Sequence, residues 1–455
     1  MTSNKNINNK NKNNHSKNNI QAHSVDTREL ALEMLIDINE SGAFSHIVLR
    51  SVLDKYQYLS KQDRAFMTRL VDGTIEYMLQ LDYIIDSFSK TKVRKMKPFI
   101  RNLLRMSVYQ IKYMDAVPDS AVCNEAVKLA KRHKFAQLSG FVNGVLRNIA
   151  RNIDLVQFDT LSIRYSMPQW IVDRFVAAYT EKKAEEIFKA FHNKSTISIR
   201  TNLTRCTPDE LRAMLEAEGV TVTAVDELNY AFVISGFDYL NGLQSFRDGL
   251  FYVQDISSML VAQTAAPKKG DYVIDVCAAP GGKSTHIAEL LQGSGHVLAR
   301  DLTDNKVDMI EENIERHGLN NMSAEVWDAT VPDADSAGKA DILICDLPCS
   351  GLGVLGRKKD IRYKMTPESV DELAALQRQI LDTVHTYVKP NGVLVYSTCT
   401  IDEAENENNV RWFIEKYPEF ELDKSFAEGT GMKQILPGEH GSDGFFIARF
   451  IKSKL

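Results

Sequence analysis

The chain has 455 residues, room for about three domains, with 44% hydrophobic and 25% charged residues, 24 glycines and 12 prolines. This composition excludes a collagen-like, coiled-coil or wholly disordered chain. The net charge is −5, so bulk charge carries no nucleic-acid footprint and any basic surface must be local.

No apolar run approaches the roughly 20 residues of a membrane span. The first 24 residues lack the apolar centre of a signal peptide. Six cysteines in a chain this long are not a disulfide scaffold, and free thiols in a reducing cytoplasm are expected. Residues 1–24 are rich in Asn, Lys and Ser, carry Lys5, Lys10, Lys12 and Lys17, and hold no acid. Such a tail is expected to be disordered, with at most weak contact to RNA.

A helical domain is predicted over 25–155. Asp26 is a good N-cap, Glu29 follows three residues on, and Val25 and Leu30 can form a hydrophobic staple. Ala31, Met34, Leu35 and Ile38 make a helical stripe that Gly42 ends. Two stretches are basic. The first, 90–105, holds seven cations and no acid, among them Lys92, Arg94, Lys95, Lys97 and Arg101. The second, 128–134, includes Lys131 and Arg132 and precedes Gly140-Phe-Val-Asn-Gly-Val-Leu-Arg147. Clustered cations favour phosphate contact by counterion release, and a solvated helix face is the alternative.

Residues 160–245 read as a small α+β module without assignable chemistry. Ser195-Thr-Ile-Ser-Ile-Arg-Thr-Asn-Leu203 alternates like a strand. Thr207-Pro-Asp-Glu210 opens a capped helix that Gly219 follows, and 220–225 and 231–235 read as further strands.

From 246 to the end, strands and helices alternate. Short apolar strands are predicted at 272–276, 296–299, 323–326, 341–345 and 392–396, with helices at 305–316 and 367–387 among the intervening stretches. This pattern predicts a parallel, doubly wound sheet, which binds ligands beyond the carboxyl ends of its strands. The first such turn is Asp275-Val-Cys277-Ala278-Ala279-Pro280-Gly281-Gly282-Lys283-Ser284. Its paired glycines allow close backbone approach, and a helix N-terminus follows. A dinucleotide fingerprint is absent. A phosphate-binding loop fits at Gly282-Lys283-Ser284, but Cys277 stands where its leading glycine belongs, although Asp346 could imitate the second motif of an ATPase. S-adenosylmethionine is the third option, with Asp301 placed to hold a ribose and Asp328 to reach the adenine.

Two thiols follow two strand ends, Cys349 in Asp346-Leu-Pro-Cys-Ser-Gly351 and Cys399 in Ser397-Thr-Cys-Thr400. Beside a methyl-donor pocket, a thiolate suits attack on C6 of a pyrimidine, which makes C5 nucleophilic. A zinc site from Cys277, Cys345, Cys349 and Cys399 is disfavoured by the absence of any Cys-x-x-Cys pair; the methyl chemistry requires no metal. A cationic loop follows, with Arg357, Lys358 and Arg362 suited to a phosphate backbone.

These residues carry a resemblance. The turn Cys277 to Lys283, the two cysteine motifs, Gln254-Asp-Ile-Ser-Ser258 and Asp443-Gly-Phe-Phe-Ile-Ala448 resemble the bacterial small-subunit ribosomal RNA methyltransferase B family. That family is part of the Sun/Fmu group of RNA cytosine-C5 methyltransferases. The helical region is similar to a NusB-type RNA-binding domain. The resemblance spans about 25–453. It implies a multidomain protein: an all-α NusB-like domain, a small ferredoxin-like α+β module and a Rossmann-like methyltransferase domain. It further implies S-adenosylmethionine bound by Cys277–Lys283, Asp301, Asp328 and Asp346, with Asp346 also near the target base. Cys399 is implied as nucleophile, Cys349 as the aid to product release, and Lys283 as a group orienting the base. The implied partner is 16S ribosomal RNA, naked or in an early small-subunit particle, acted on by a cytoplasmic monomer. Transfer RNA is the alternative substrate, and a nucleotide hydrolase or a non-enzymatic ribosome-assembly factor are alternative functions.

Overall fold

The computed structural model describes residues 25–193 and 196–454. The segment 1–24, read above as disordered, lies outside the described residues, as does Ser195 of the first anticipated strand.

The N-terminal part is all helical. Its helices run Thr27–Glu40, Ser45–Lys55, Lys61–Glu76, Met78–Phe88, Pro98–Tyr113, Asp119–Arg132 and Ser139–Asn152. The first starts as its sequence dictates, because Asp26 accepts the N–H groups of Arg28 and Glu29. Ala31, Met34, Leu35 and Ile38 turn inward onto Leu70, Ile84, Leu103 and Leu146. Each fully buried side chain of this size stabilises by about 1.5–3 kcal/mol, so the domain has a core of its own.

Between 161 and 191 the chain is helical, in segments Leu161–Arg164, Gln169–Tyr179 and Glu181–Phe191. This differs from the α+β reading of 160–245. Phe175, Phe188 and Phe191 face Leu352, Leu355 and Ile401, so these helices brace the loops of the C-terminal domain. The α+β module itself is an antiparallel sheet of β1 (Ile197–Thr201), β2 (Thr221–Val225), β3 (Leu228–Ser235) and β4 (Phe251–Val253), in the order β2-β3-β1-β4. β4 lies past the expected boundary at 245, because Thr201 and Arg200 pair with Phe251 and Tyr252. The Thr207–Glu210 capping box forms as expected.

The C-terminal sheet comprises β5 (Tyr272–Asp275), β6 (His296–Asp301), β7 (Met322–Val326), β8 (Ala340–Asp346), β9 (Val388–Thr398), β10 (Phe420–Leu422), β11 (Met432–Ile435) and β12 (Phe445–Lys452). The order is β10-β12-β9-β8-β5-β6-β7, with β11 beside β12. All five anticipated strands are present, and β5 to β9 are parallel. The sheet is nevertheless mixed, not purely parallel. β12 runs antiparallel to β9, pairing Phe446 with Thr398 and Ala448 with Tyr396. That return brings Asp443 and Gly444 beside the end of β9.

The small sheet is tied to the large one through Arg200 on β1. Its guanidinium is buried, donates to Glu289 at 2.9 Å and to the Gly282 carbonyl at 2.8 Å, and so grips the helix Gly282–Leu290. Buried pairs of this kind are costly to break from one side, which couples the module to the glycine turn.

Candidate active site

The carboxyl ends of β5 to β9 converge on one cleft of about 300 Å³, lined by Cys277, Ala279, Asp301, Asp328, Asp346, Cys349 and Cys399. Leu302, Trp327, Leu376 and Ile380 give it apolar walls. The position of each polar group follows from a strand end, as a doubly wound sheet dictates.

The glycine turn is held from several sides. Gly281 sits at φ +99°, a region that favours glycine, and opens the helix Gly282–Leu290. The Ala278 N–H donates to the Arg300 carbonyl, and Ala278 faces the core instead of the cleft. The Pro280 carbonyl accepts from Asn313 at 3.0 Å and from the Tyr252 hydroxyl at 3.2 Å. Asp301 accepts the Ala279 N–H at 2.9 Å and the Leu302 N–H at 2.8 Å, and pairs with Lys306. Asp328 is exposed and accepts from the hydroxyl and N–H of Thr330, which hold its carboxyl below the usual range.

Lys283 does not line the cleft surface. Its ammonium lies 2.7 Å from Asp346 and 5.5 Å from the centre of the Phe445 ring. Burial works against its charge, but Asp346 outweighs burial and raises its pKa. Asp346 also accepts from Ser397 at 2.7 Å, so one carboxylate links β8, β9 and the glycine turn.

The sulfurs of Cys349 and Cys399 are 3.1 Å apart. The hydrogen bond from Cys349 lowers the pKa of Cys399; burial and Asp346 oppose that shift, while Lys358 and Lys283 assist it. Cys349 is pushed the other way, by that same hydrogen bond and by burial. Of the two, Cys399 is the thiol poised to ionise. Cys345 is fully buried in the sheet core, and burial raises its pKa well above the ordinary value. Among the described residues, no cluster of three or more His, Cys, Asp or Glu side chains is placed to hold a metal ion.

Several residues of the site escaped sequence reasoning. Glu405 is fully buried and accepts from the Ser350 N–H at 2.9 Å, from its hydroxyl, and from Gln377 at 3.0 Å. The Ser350 and Thr400 hydroxyls are 3.0 Å apart. Glu405 thereby fixes the residue after Cys349 against the residue after Cys399. The only sequence signal was a run of acids beyond Cys399. Gly353 donates to the Cys399 carbonyl at 3.1 Å, and a Cβ there would lie 2.2 Å from the Gly444 carbonyl oxygen. The Asp443-Gly-Phe-Phe stretch thus acts as a close backrest for the Cys399 loop.

Asp275, quoted in the turn but given no role, is completely buried and accepts from Ser284. Burial raises its pKa from the usual 3.8 to about 7; Ser284 opposes the shift and Asp346 adds to it. Between those two values the folded chain keeps a proton that the unfolded chain has lost. Asp275 therefore makes stability fall as pH rises through this window. Asp275→Asn is expected to gain on the wild type by up to about 4 kcal/mol between the acid and alkaline ends of the window. Urea unfolding of both proteins at each end checks this, and a pH-independent difference would refute it.

Of the ten expected RNA contacts, Arg362 needs correction because it is buried, and three others are held in ion pairs. Arg101 is paired with Glu40, and Arg132 with Asp26 and Glu29. Arg357 bridges Asp255 and Asp443. Arg362 is fully buried and donates to the Leu355 carbonyl at 2.9 Å. Acids distant in sequence meet the three paired cations in space, whereas the enclosed Arg362 donates to backbone carbonyls. Arg94, Lys95, Lys97, Lys131 and Lys358 are exposed without an ion-pair partner among the described residues, and Lys92 is exposed with its ammonium on the Asp86 carbonyl.

A glycine turn, a carboxylate after each of the next strands and an apolar-walled cleft between them define a methyltransferase that uses S-adenosylmethionine. The acceptor set fits that cofactor, since Asp301, Asp328 and Asp346 all line the cleft and can accept from its hydroxyl, amino and ammonium groups. Residues 262–451 match the family described as 16S rRNA methyltransferase RsmB/F. Residues 25–151 match the NusB family, and 167–237 the ferredoxin-like domain of RsmF/B-like methyltransferases. The probable ribosomal RNA small subunit methyltransferase B of Bacillus subtilis is 38% identical, covering 93% of this chain and 98% of that one. The corresponding protein of Cronobacter sakazakii is 30% identical, covering 94% and 99%. The solved structure of PH0851 superposes with a TM-score of 0.80 at 25% identity, covering 95% and 99%. The chain belongs to the RsmB/F methyltransferase family. No described helix is long and apolar enough to cross a membrane.

Proposed function

We propose that this protein methylates C5 of a cytosine in 16S ribosomal RNA through a covalent bond between Cys399 and C6. The observation that carries this reading is the Cys349–Cys399 pair, 3.1 Å apart on the cleft that fits the cofactor. The substrate class rests on the names of the relatives and on the NusB-family match of the helical part. Residues 25–155 bind RNA, with Arg94, Lys95, Lys97 and Lys131 as exposed cations; 246–455 perform the chemistry and add the exposed Lys358; and the module between positions one on the other.

S-adenosylmethionine supplies an electrophilic methyl group on its sulfonium. The target base must leave its stack to reach the thiol. Cys399, ionised ahead of its neighbour, adds to C6, and the electron pair of the C5–C6 double bond becomes available at C5. Asp346 helps N3 of the ring become protonated, which neutralises the negative charge that the addition develops there, and Lys283, paired with Asp346, helps orient the base. After C5 has taken the methyl group, Cys349 serves the closing step. Once Cys399 is bonded to C6, the thiolate that kept the proton on Cys349 is gone; Cys349, now as a thiolate, takes the C5 proton, the S–C6 electron pair returns to Cys399, and the C5–C6 double bond returns.

The test is to incubate the protein with unmodified 16S ribosomal RNA and, separately, transfer RNA, in the presence of S-adenosylmethionine, and to analyse the digested nucleosides by mass spectrometry. 5-Methylcytidine from the ribosomal RNA is expected. The same product from transfer RNA alone would overturn the substrate, and a methyl group on another atom would overturn the mechanism.

A further inference from the structure

The helical domain presents two exposed rings to the rim of the catalytic domain. Phe44 is 45% exposed and Ile47 58%, and His46 between them is exposed as well. The Phe44 and His46 rings are 5.9 Å apart and tilted by 43°. They stand on a fixed base. The N–H and hydroxyl of buried Ser45 both donate to the buried carboxylate of Asp360, at 3.0 and 2.6 Å. Lys364 donates to the Ala43 carbonyl at 2.6 Å and holds its ammonium 4.3 Å from the centre of the Phe44 ring.

Asp360 belongs to the loop that leaves the Cys349 motif. That loop touches the nucleophile at one end, where Gly353 donates to the Cys399 carbonyl, and holds Ser45 at the other. Lys358, between these points in sequence, is exposed and free of any ion pair among the described residues. Its charge is felt by both the Cys399 thiol and the His46 ring. Burial, with Lys358 adding to it, lowers the pKa of His46, so near neutrality the ring is a flat uncharged surface. Among the described residues, His46 has no ion pair or side-chain hydrogen bond.

From this arrangement we propose that Phe44 and His46 form a stacking platform for an unpaired nucleotide next to the target cytosine, with Lys358 on its phosphate. The inference rests on the RNA-methylation reading above and names a part of its substrate site. A base drawn out of a strand leaves its neighbours without a stacking partner, and aromatic rings supply one at little conformational cost. The occupant is single-stranded RNA because the rings are flanked by cations and continuous with the catalytic loop, a pairing of charge and π-face that suits a polyanion with bases.

The test uses the full chain and 16S ribosomal RNA carrying 4-thiouridine. Photocross-linked peptides are mapped by mass spectrometry, and KM for unsubstituted RNA is measured for Phe44→Ala/His46→Ala and for Phe44→Trp/His46→Tyr. Cross-links are expected on the peptide that contains Phe44 and His46. The alanine pair is expected to raise KM about ten-fold, equivalent to about 1.4 kcal/mol and within the range of one base stacked on an aromatic ring. Affinity for S-adenosylmethionine should not change, which reports an intact fold, and the aromatic pair should retain the wild-type KM. Absence of cross-links there together with an unchanged KM would overturn the proposal. A defect confined to assembled small-subunit particles would also overturn it, by showing that the rings dock a ribosomal protein. Should the wild type methylate no RNA, the function reading fails, and the cross-link map still decides whether the platform binds RNA.

Discussion

Cys399→Ala is expected to abolish methyl transfer, by about 10⁴-fold or more, and to form no covalent adduct with RNA. Cys349→Ala is expected to do the opposite on a denaturing gel: the protein stays attached to RNA because the closing elimination is impaired. The reason lies in the pair's asymmetry. The two sulfurs are hydrogen-bonded at 3.1 Å. The hydrogen bond stabilises the thiolate on Cys399 and the thiol on Cys349. In such a pair one thiol ionises while its neighbour keeps the proton, and the direction of the shifts makes Cys399 the one that ionises. A second readout separates this from a simple loss of structure. Without Cys349 the largest influence lowering the Cys399 pKa is gone, while burial and Asp346 still oppose ionisation. The pH at which Cys399 is alkylated by iodoacetamide should then move upward in Cys349→Ala. An adduct that appears with Cys399→Ala instead would reverse the roles of the two thiols.

The parts of this site legible in the sequence are those set by local patterning. Strand ends mark where a doubly wound sheet gathers its ligands, so Cys277, Asp301, Asp328, Asp346, Cys349 and Cys399 could be placed on one cleft by counting strands alone. Their roles came from resemblance, since spacing alone does not tell one thiol from the other. The basic stretches were less legible. Charge runs show composition but not the partner far along the chain, and Glu40, Asp26, Glu29, Asp255 and Asp443 meet those cations only after folding. The buried Arg362 is the sharpest case, because its loop reads as cationic surface while its guanidinium caps the carbonyl of Leu355 inside the core. The helices of 161–191 were missed as part of the catalytic scaffold for a related reason. Their apolar stripe is visible, but its partners Leu352, Leu355 and Ile401 lie more than a hundred residues away.

Glu405→Ala is expected to cost about 3 kcal/mol of stability and to reduce methyl transfer by about 10- to 100-fold. Burial raises the pKa of Glu405 despite the two hydrogen bonds from Ser350 that oppose the shift. The side chain is fully enclosed, so its removal leaves the Ser350 N–H and one Gln377 amide hydrogen without an acceptor and turns the Ser350 hydroxyl onto Thr400 alone. Water cannot reach these donors unless the loop moves. Ser350 follows Cys349 directly and faces Thr400, which follows Cys399. A shift of either loop therefore separates the sulfurs, and the mutual hydrogen bond that ionises Cys399 weakens with distance. Stability and activity should fall together in Glu405→Ala, but the decisive measurement is again the pH profile of Cys399 alkylation. It should shift upward as in Cys349→Ala, although no reactive group has been removed. A folded Glu405→Ala protein that keeps the wild-type profile would confine Glu405 to holding the fold, and the alignment of the two thiols would have to come from Gly353 and Gly444 alone.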